Sequence, residues 1–177
     1  MTPAVYVGLG VLAIAGVFLY NRLVTARLRV NEAWSAIDVQ LQRRTSLIPN
    51  LVEAVRGYAA YERGTMEKIV QARGALDAAK GPGAAARAHA ALTGALTTFF
   101  ALAEAYPDLK ADRRFAQLQT DLTDTENKIA YARNYYNGAV EIFNIRVQSF
   151  PGLLVARLFR FAPAEFFSTD AVAAPAL

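Results

Sequence analysis

The sequence predicts an all-α protein: an N-terminal transmembrane helix, an antiparallel bundle of three long helices, the first kinked near Pro49, and a short C-terminal helix. Three observations carry that prediction. Residues 2–21, TPAVYVGLGVLAIAGVFLYN, hold no charged side chain. Beyond them, apolar residues recur at steps of three and four along most of the chain, which puts them on one face of a helix. Alternation of apolar and polar residues, the mark of a half-buried strand, never extends beyond a few positions.

The first element is the apolar run. At about 1.5 Å per residue, a helix of this length reaches roughly 30 Å, the thickness of the hydrocarbon core of a bilayer. Tyr6 and Tyr20 lie near its ends, where amphipathic rings favour the membrane–water interface. A cleaved signal peptide would carry a basic stretch before the apolar run. None is present, and the cleavage-like AIA at 13–15 falls inside the run. The expected organisation is a short tail at 1–3, a transmembrane helix at 4–21, a helical bundle domain at 22–168 and a flexible tail at 169–177. Arg22, Arg27 and Arg29 follow the run, with no acid before Glu32. Basic flanks stay cytoplasmic, so the expected topology is single-pass, with the N-terminus outside and the C-terminal domain cytoplasmic. The same arginines can interact with anionic lipid headgroups, at about 1 kcal/mol each.

From Val30 an apolar stripe runs through Trp34, Ile37, Leu41, Ile48, Leu51, Val55, Tyr58, Ile69, Ala72 and Leu76, interrupted by Arg44, Glu62 and Thr65. Pro49 lies within it. Proline in a helix removes one backbone hydrogen bond and crowds the carbonyl four residues back, here Thr45, so a kink or local break is expected near 45–49. The alternative is a new helix beginning at Pro49. Either way, this is the joint between membrane-proximal and membrane-distal segments. The stripe stops at AAKGPGAAA, where Gly81 suits a helix C-cap and Pro82 blocks continuation. A second helix is expected from about Ala84 to Tyr106, with Leu92, Leu96, Phe99, Phe100 and Leu102 as its bulky contacts. Asp112 is the expected N-cap of the third, whose Phe115, Leu118, Leu122, Ile129, Tyr136, Phe143 and Phe150 share a face. FPG at 150–152 ends it. The segment LLVARLFRFAPAEFF mixes Arg157 and Arg160 with leucines and phenylalanines. It either packs back over the bundle or lies on a membrane or partner.

Composition narrows the chemistry. The chain has no cysteine, which excludes disulfides and thiolate sites. Its net charge of +4 is spread among mixed signs, so no nucleic-acid partner is expected. One histidine, His89, is too few for a di-iron carboxylate bundle, which needs two Glu-x-x-His motifs; it is expected at the surface or at the boundary of the core. Neither an H-E-x-x-H pair, a P-loop nor a nucleophile elbow is present. No cofactor and no catalytic residue is expected.

Polar residues interrupt the core pattern in two places. Arg44 lies on the apolar stripe, and a buried unpaired charge costs several kcal/mol. On the third helix, Glu126, Arg133, Asn137 and Asn144 follow one another at spacings of seven, four and seven, with Asn127 alongside. The expectation is a buried polar network joining Arg43 or Arg44, with Asp38 and Gln40, to Glu126 and Asn127. Such a network would set helix register and form a candidate interaction site. The plainer alternative is a solvated face held by pairs one turn apart.

Two stretches, NEAWSAIDVQLQRRTSLIPNLVEAVRGYAAYE at 31–62 and AEAYPDLKADRRFAQLQTDLTDTENKIAYARNYYNGAVEIFNIRVQSFP at 103–151, together and in this order resemble the LemA family of bacterial proteins. The resemblance covers most of the chain after the apolar run. It implies an N-terminal membrane anchor, an α-helical bundle and a small N-terminus outside the membrane. The family has no established activity or active site, so the resemblance implies none here. Gly64 departs from it, standing where the family places a better helix former, and residues 81–100 carry little of its signature. The function expected is a non-enzymatic, membrane-anchored interaction or scaffold module in the bacterial inner membrane. Its expected partners are the lipid bilayer and a second copy or another membrane or cytosolic protein. The competing expectation is a membrane-associated enzyme or small-ligand sensor built on the polar network.

Overall fold

The apolar stripe becomes a buried ridge along α1 (Pro3–Val55): Leu23, Ala26, Val30, Ala33, Ile37 and Leu41 are all at most 6% exposed. The computed structural model describes residues 3–56 and 63–169. Tyr58, Glu62 and the tails at 1–2 and 170–177 lie outside the described residues. The all-α class read from the sequence holds. Among the described residues the elements after α1 are α2 (Arg63–Asp77), α3 (Pro82–Ala103), α4 (Pro107–Ala111), α5 (Arg113–Gln148) and α6 (Gly152–Leu158).

Two details of the first rod are settled by the structure. Helix α1 continues through Pro49 to Val55, with Ile48 and Leu51 buried and Pro49 on the exposed side. The carbonyl that loses its donor belongs to Thr45, which is 7% exposed. The division of the stripe comes later, since Ile69 and Leu76 belong to α2. Gly81 does not cap the preceding helix. It precedes α3 at φ 84°, with Pro82 in the first turn, because Pro's fixed φ and missing N–H suit a helix start.

Helices α1 and α5 form the central antiparallel pair. Arg22 meets Arg146, Trp34 packs on Tyr136, and Arg43 pairs with Asp124, so positions rise along one helix as they fall along the other. Helix α3 runs antiparallel to α5, as Thr93 faces Glu126 and Phe99 faces Phe115. Helix α2 packs against α3 and α1. Asp112 caps α5 as expected, its carboxylate accepting from the backbone N–H groups of Arg114 and Phe115. Phe150, expected on the inward face, is corrected: α5 ends at Gln148, and Phe150 beyond it is 81% exposed.

The first third of α1 packs on little. Tyr6, Leu9, Leu12, Ile14 and Phe18 are between 56% and 73% exposed. An 18-residue window here has a mean hydropathy of 1.8 and is only 6% buried, making this part of α1 long and apolar enough to cross a membrane. At the other end, α6 and the extended segment 159–168 pack back over the bundle. Phe161 lies against Tyr20 and Phe143, and Phe167 against Trp34.

Candidate functional site

Arg44 is 3% exposed, and its neighbours explain how the charge is tolerated. Its Nη1 donates to the Glu126 carboxylate of α5 and to Nδ1 of His89 on α3, at 3.2 Å in the latter case. Arginine has no acceptor, so His89 must accept at Nδ1 and carry its proton on Nε2. That nitrogen lies 3.5 Å from the second Glu126 oxygen, closing a triangle across three helices. Thr93 adds a donor to Glu126 at 3.3 Å. Burial pushes the Arg44 guanidinium down to about 10, which leaves it charged at neutral pH. Burial, reinforced by the positive charges of Arg44 and Arg133, pushes His89 down to about 4, so its ring is neutral. Glu126 is the outlet of the triangle: its side chain is 39% exposed and faces a shallow cavity of about 160 Å³ lined also by Thr97 and Asn127.

The expectation for His89 is corrected: it is 8% exposed, a core residue. The reason is legible on α3, where Ala85, Ala86, His89, Leu92, Leu96 and Phe99 share one buried stripe at steps of three and four. Leu102, expected among the contacts of this helix, falls off that stripe and is 40% exposed.

The other candidate residues are not drawn into the triangle. Arg43 pairs instead with Asp124 at 3.8 Å, on the half-exposed rim. A hydrogen bond from Lys128, 2.8 Å away, holds the Asp124 carboxyl below its ordinary range. Asp38 accepts from Gln42 one turn on. Gln40 Oε1 and Arg44 Nε, an acceptor and a donor one turn apart, are each buried without a hydrogen-bond partner. Asn127 and Arg133 are exposed.

Asn137 and Asn144 belong to a different constellation. Asn144 donates to the carbonyl of Ala164 at 2.9 Å and accepts from its N–H at 2.7 Å. Asn137 does the same with Phe167, at 3.2 and 2.9 Å. Between them, the Tyr136 hydroxyl donates to the carbonyl of Glu165 at 2.7 Å. Burial, with Glu165 nearby, pushes the Tyr136 phenol up to about 12. The strap so held ends in Phe167, 2% exposed, whose ring sits against Trp34 and His89. The Glu165 side chain reaches the start of α3, where a β-carbon at Gly83 would collide with it. A carboxylate there faces the positive end of the helix dipole.

A third feature is apolar. Tyr131, Tyr135, Gly138, Ile142 and Ile145 follow the four–three spacing of a coiled-coil seam along α5. The four large residues are 50–79% exposed. The seam borders a cavity of about 370 Å³ between α1 and α5, lined by Ala26 and Arg29 of the one and by Ala139 and Arg146 of the other. Among the described residues, no group of three or more histidine, aspartate or glutamate side chains converges in the way a metal site requires.

The family model described as LemA family matches residues 33–176, which include the triangle and the strap but not the apolar third of α1. The chain is 25% identical over 174 residues to magnetosome protein MamQ of Magnetospirillum gryphiswaldense, covering 84% of this chain and 64% of that protein. It is 26% identical to magnetosome protein MamQ 2 of Paramagnetospirillum magneticum, with the same coverage of both chains. It is 28% identical over 134 residues to protein LemA of Metamycoplasma hominis, covering 73% of this chain and 60% of that one. The chain thus spans less than two thirds of the length of these relatives. With the match extending over most of its length and over both polar constellations, the chain belongs to the LemA family.

Proposed function

We propose that this protein is a non-enzymatic scaffold, tethered in the bacterial inner membrane by the first third of α1, that self-associates laterally through the exposed seam of α5. The seam carries the reading. A helix face with heptad spacing and four large apolar residues in water is a docking surface for another helix. Its occupant is a second copy of the chain. Copies threaded through one membrane share an axis and meet at raised effective concentration, which favours the pairing of parallel faces. The Arg44–His89–Glu126 triangle supports a structural role, because the buried Arg44 charge is balanced by Glu126 across the helix interface.

The test is the oligomeric state of the full chain in lipid nanodiscs, by crosslinking and native mass spectrometry. Wild type is expected to form a discrete oligomer, and Ile142→Asp or Tyr135→Asp to reduce it to a monomer without changing the melting temperature. A wild-type monomer, or an oligomer indifferent to both substitutions, overturns the reading. The orientation proposed has the N-terminus outside and the bundle in the cytoplasm, from the flank of Arg22, Arg27 and Arg29. Single cysteines at Thr2 and Thr169, challenged with an impermeant reagent in intact cells, test it; labelling at 169 alone reverses it.

A further inference from the structure

Helix α6 lies at a particular height. Gly152, at its start, lines a small cavity with Leu19, Arg22 and Leu23 of α1. Just past its end, the ring of Phe159 packs against that of Tyr20, with the centroids 4.7 Å apart and the planes inclined at 55°. Seven residues of helix advance about 10 Å, yet both ends of α6 meet the same turn of α1. Helix α6 therefore crosses α1 instead of running along it. The turn it crosses is the one where the apolar segment ends and the arginines begin.

Its outward face is apolar. Ala156 is buried against the bundle, whereas Phe150, Leu154, Leu158 and Phe159 are 81%, 61%, 75% and 54% exposed. The charge around it is one-sided. The two stretches that build this end of the molecule, residues 1–31 and 142–164, contain six of the chain's 19 basic residues and none of its 15 acids. Those six are Arg22, Arg27, Arg29, Arg146, Arg157 and Arg160. The rest of the chain is slightly acidic.

We propose that α6 and the Phe150–Pro151 corner form a second membrane contact. In it, α6 lies flat in the headgroup layer of an anionic bilayer, its phenylalanines and leucines dipping toward the acyl chains beneath a collar of arginines. The inference rests on the membrane-tethered reading above. A helix in the plane of the interface, with large apolar residues on one face and arginines at its edges, has the form of interfacial amphipathic segments. Continuity fixes the occupant: the apolar surface of α6 adjoins that of α1 where α1 leaves the bundle. Two contacts would hold the bundle upright and present the α5 seam side-on to neighbours in the same membrane.

The chain has no cysteine, so single cysteines report local environment cleanly. Full-length Leu12→Cys, Val39→Cys, Leu154→Cys and Leu158→Cys carry an environment-sensitive fluorophore. Each is reconstituted in phosphatidylcholine vesicles with or without phosphatidylglycerol. With the anionic lipid, 154 and 158 should show blue-shifted emission and be quenched severalfold more than 39 by a shallow lipid-borne nitroxide. They should also resist iodide and shift toward water when phosphatidylglycerol is omitted. Probes at 154 and 158 as wet as at 39, with 12 deep in hydrocarbon, overturn this proposal and leave the anchor intact. A wet probe at 12 overturns both. Probes at 154 and 158 shielded from iodide and also from lipid nitroxide overturn it in favour of a protein partner.

Discussion

The amide of Asn137 treats the backbone of Phe167 as a neighbouring strand would, donating to its carbonyl and accepting from its N–H. Asn144 does the same for Ala164. The spacing makes the pair work. Seven residues of helix span about 10.5 Å, and three residues of extended chain span about 10 Å. Two asparagines two turns apart therefore match two strap residues three apart. The strap is pinned in one register by side-chain amides.

A single-atom change should reveal this clamp. Asn137→Asp keeps the acceptor for the Phe167 N–H but sets a charged oxygen against its carbonyl. Losing one bond and adding that repulsion should cost about 1–3 kcal/mol. The loss should be local: hydrogen exchange should rise severalfold at Phe167 and its neighbours, while amides of α1 and α5 keep their protection. Asn137→Asp that leaves strap exchange unchanged would show that Phe167 packing alone holds the segment.

The Arg44–Glu126 pair should show strong coupling. Glu126→Ala leaves Arg44 buried with His89 as its remaining partner, and should cost about 2–3 kcal/mol. This lies below the range for fully buried pairs, because Glu126 is partly solvated. Arg44→Met should cost less, since it removes the buried charge itself. The double variant Arg44→Met/Glu126→Ala should then be more stable than the sum of the singles predicts. Denaturant titration of all four proteins measures the coupling, and additivity would remove the triangle as an energetic unit.

His89 sets a pH dependence of definite sign. In the folded chain its ring titrates at about 4, against 6.5 unfolded, owing first to burial and then to Arg44 and Arg133. Between these values the unfolded chain binds a proton that the folded chain refuses. Stability should therefore be constant above about pH 6.5 and fall as pH drops toward 4, by up to about 3 kcal/mol. His89→Gln can accept from Arg44 and donate to Glu126, and should flatten the slope in this window. Melting temperatures at stepped pH test it; an equal slope in the variant would assign the effect to other groups.

Glycines separate into two kinds. A β-carbon at Gly152 would strike the backbone carbonyl of Arg146, which has little room to yield, so Gly152→Ala should destabilise by about 1–3 kcal/mol. At Gly94, inside α3, nothing lies within 4 Å of an added carbon. Gly94→Ala should stabilise by about 0.5–1 kcal/mol through helix propensity alone. Chemical denaturation of the two variants should give shifts of opposite sign.

Local rules made much of this protein legible from its sequence. Helical class, the apolar third of α1, the inward stripes of α1 and α5, the Asp112 cap and the break at Phe150–Gly152 all follow from spacing and backbone chemistry within a few residues. So did the need of Arg44 for a partner on the third long helix, because a charge on a buried stripe cannot remain alone. What the sequence could not decide was which distant groups meet. Glu126 and Asn127 are adjacent on one helix, and a rotation of about 100° per residue puts one in the triangle and leaves the other in water. His89 looked peripheral until the packing of α3 turned its face inward. Asn137 and Asn144 read as members of one polar row with Glu126. Only the return of the chain past α6 brought the backbone of residues 164–167 within their reach. Helix periodicity is set by neighbours in sequence, whereas pairing depends on helix rotation, stagger and chain return, and these are decided only when the whole bundle packs.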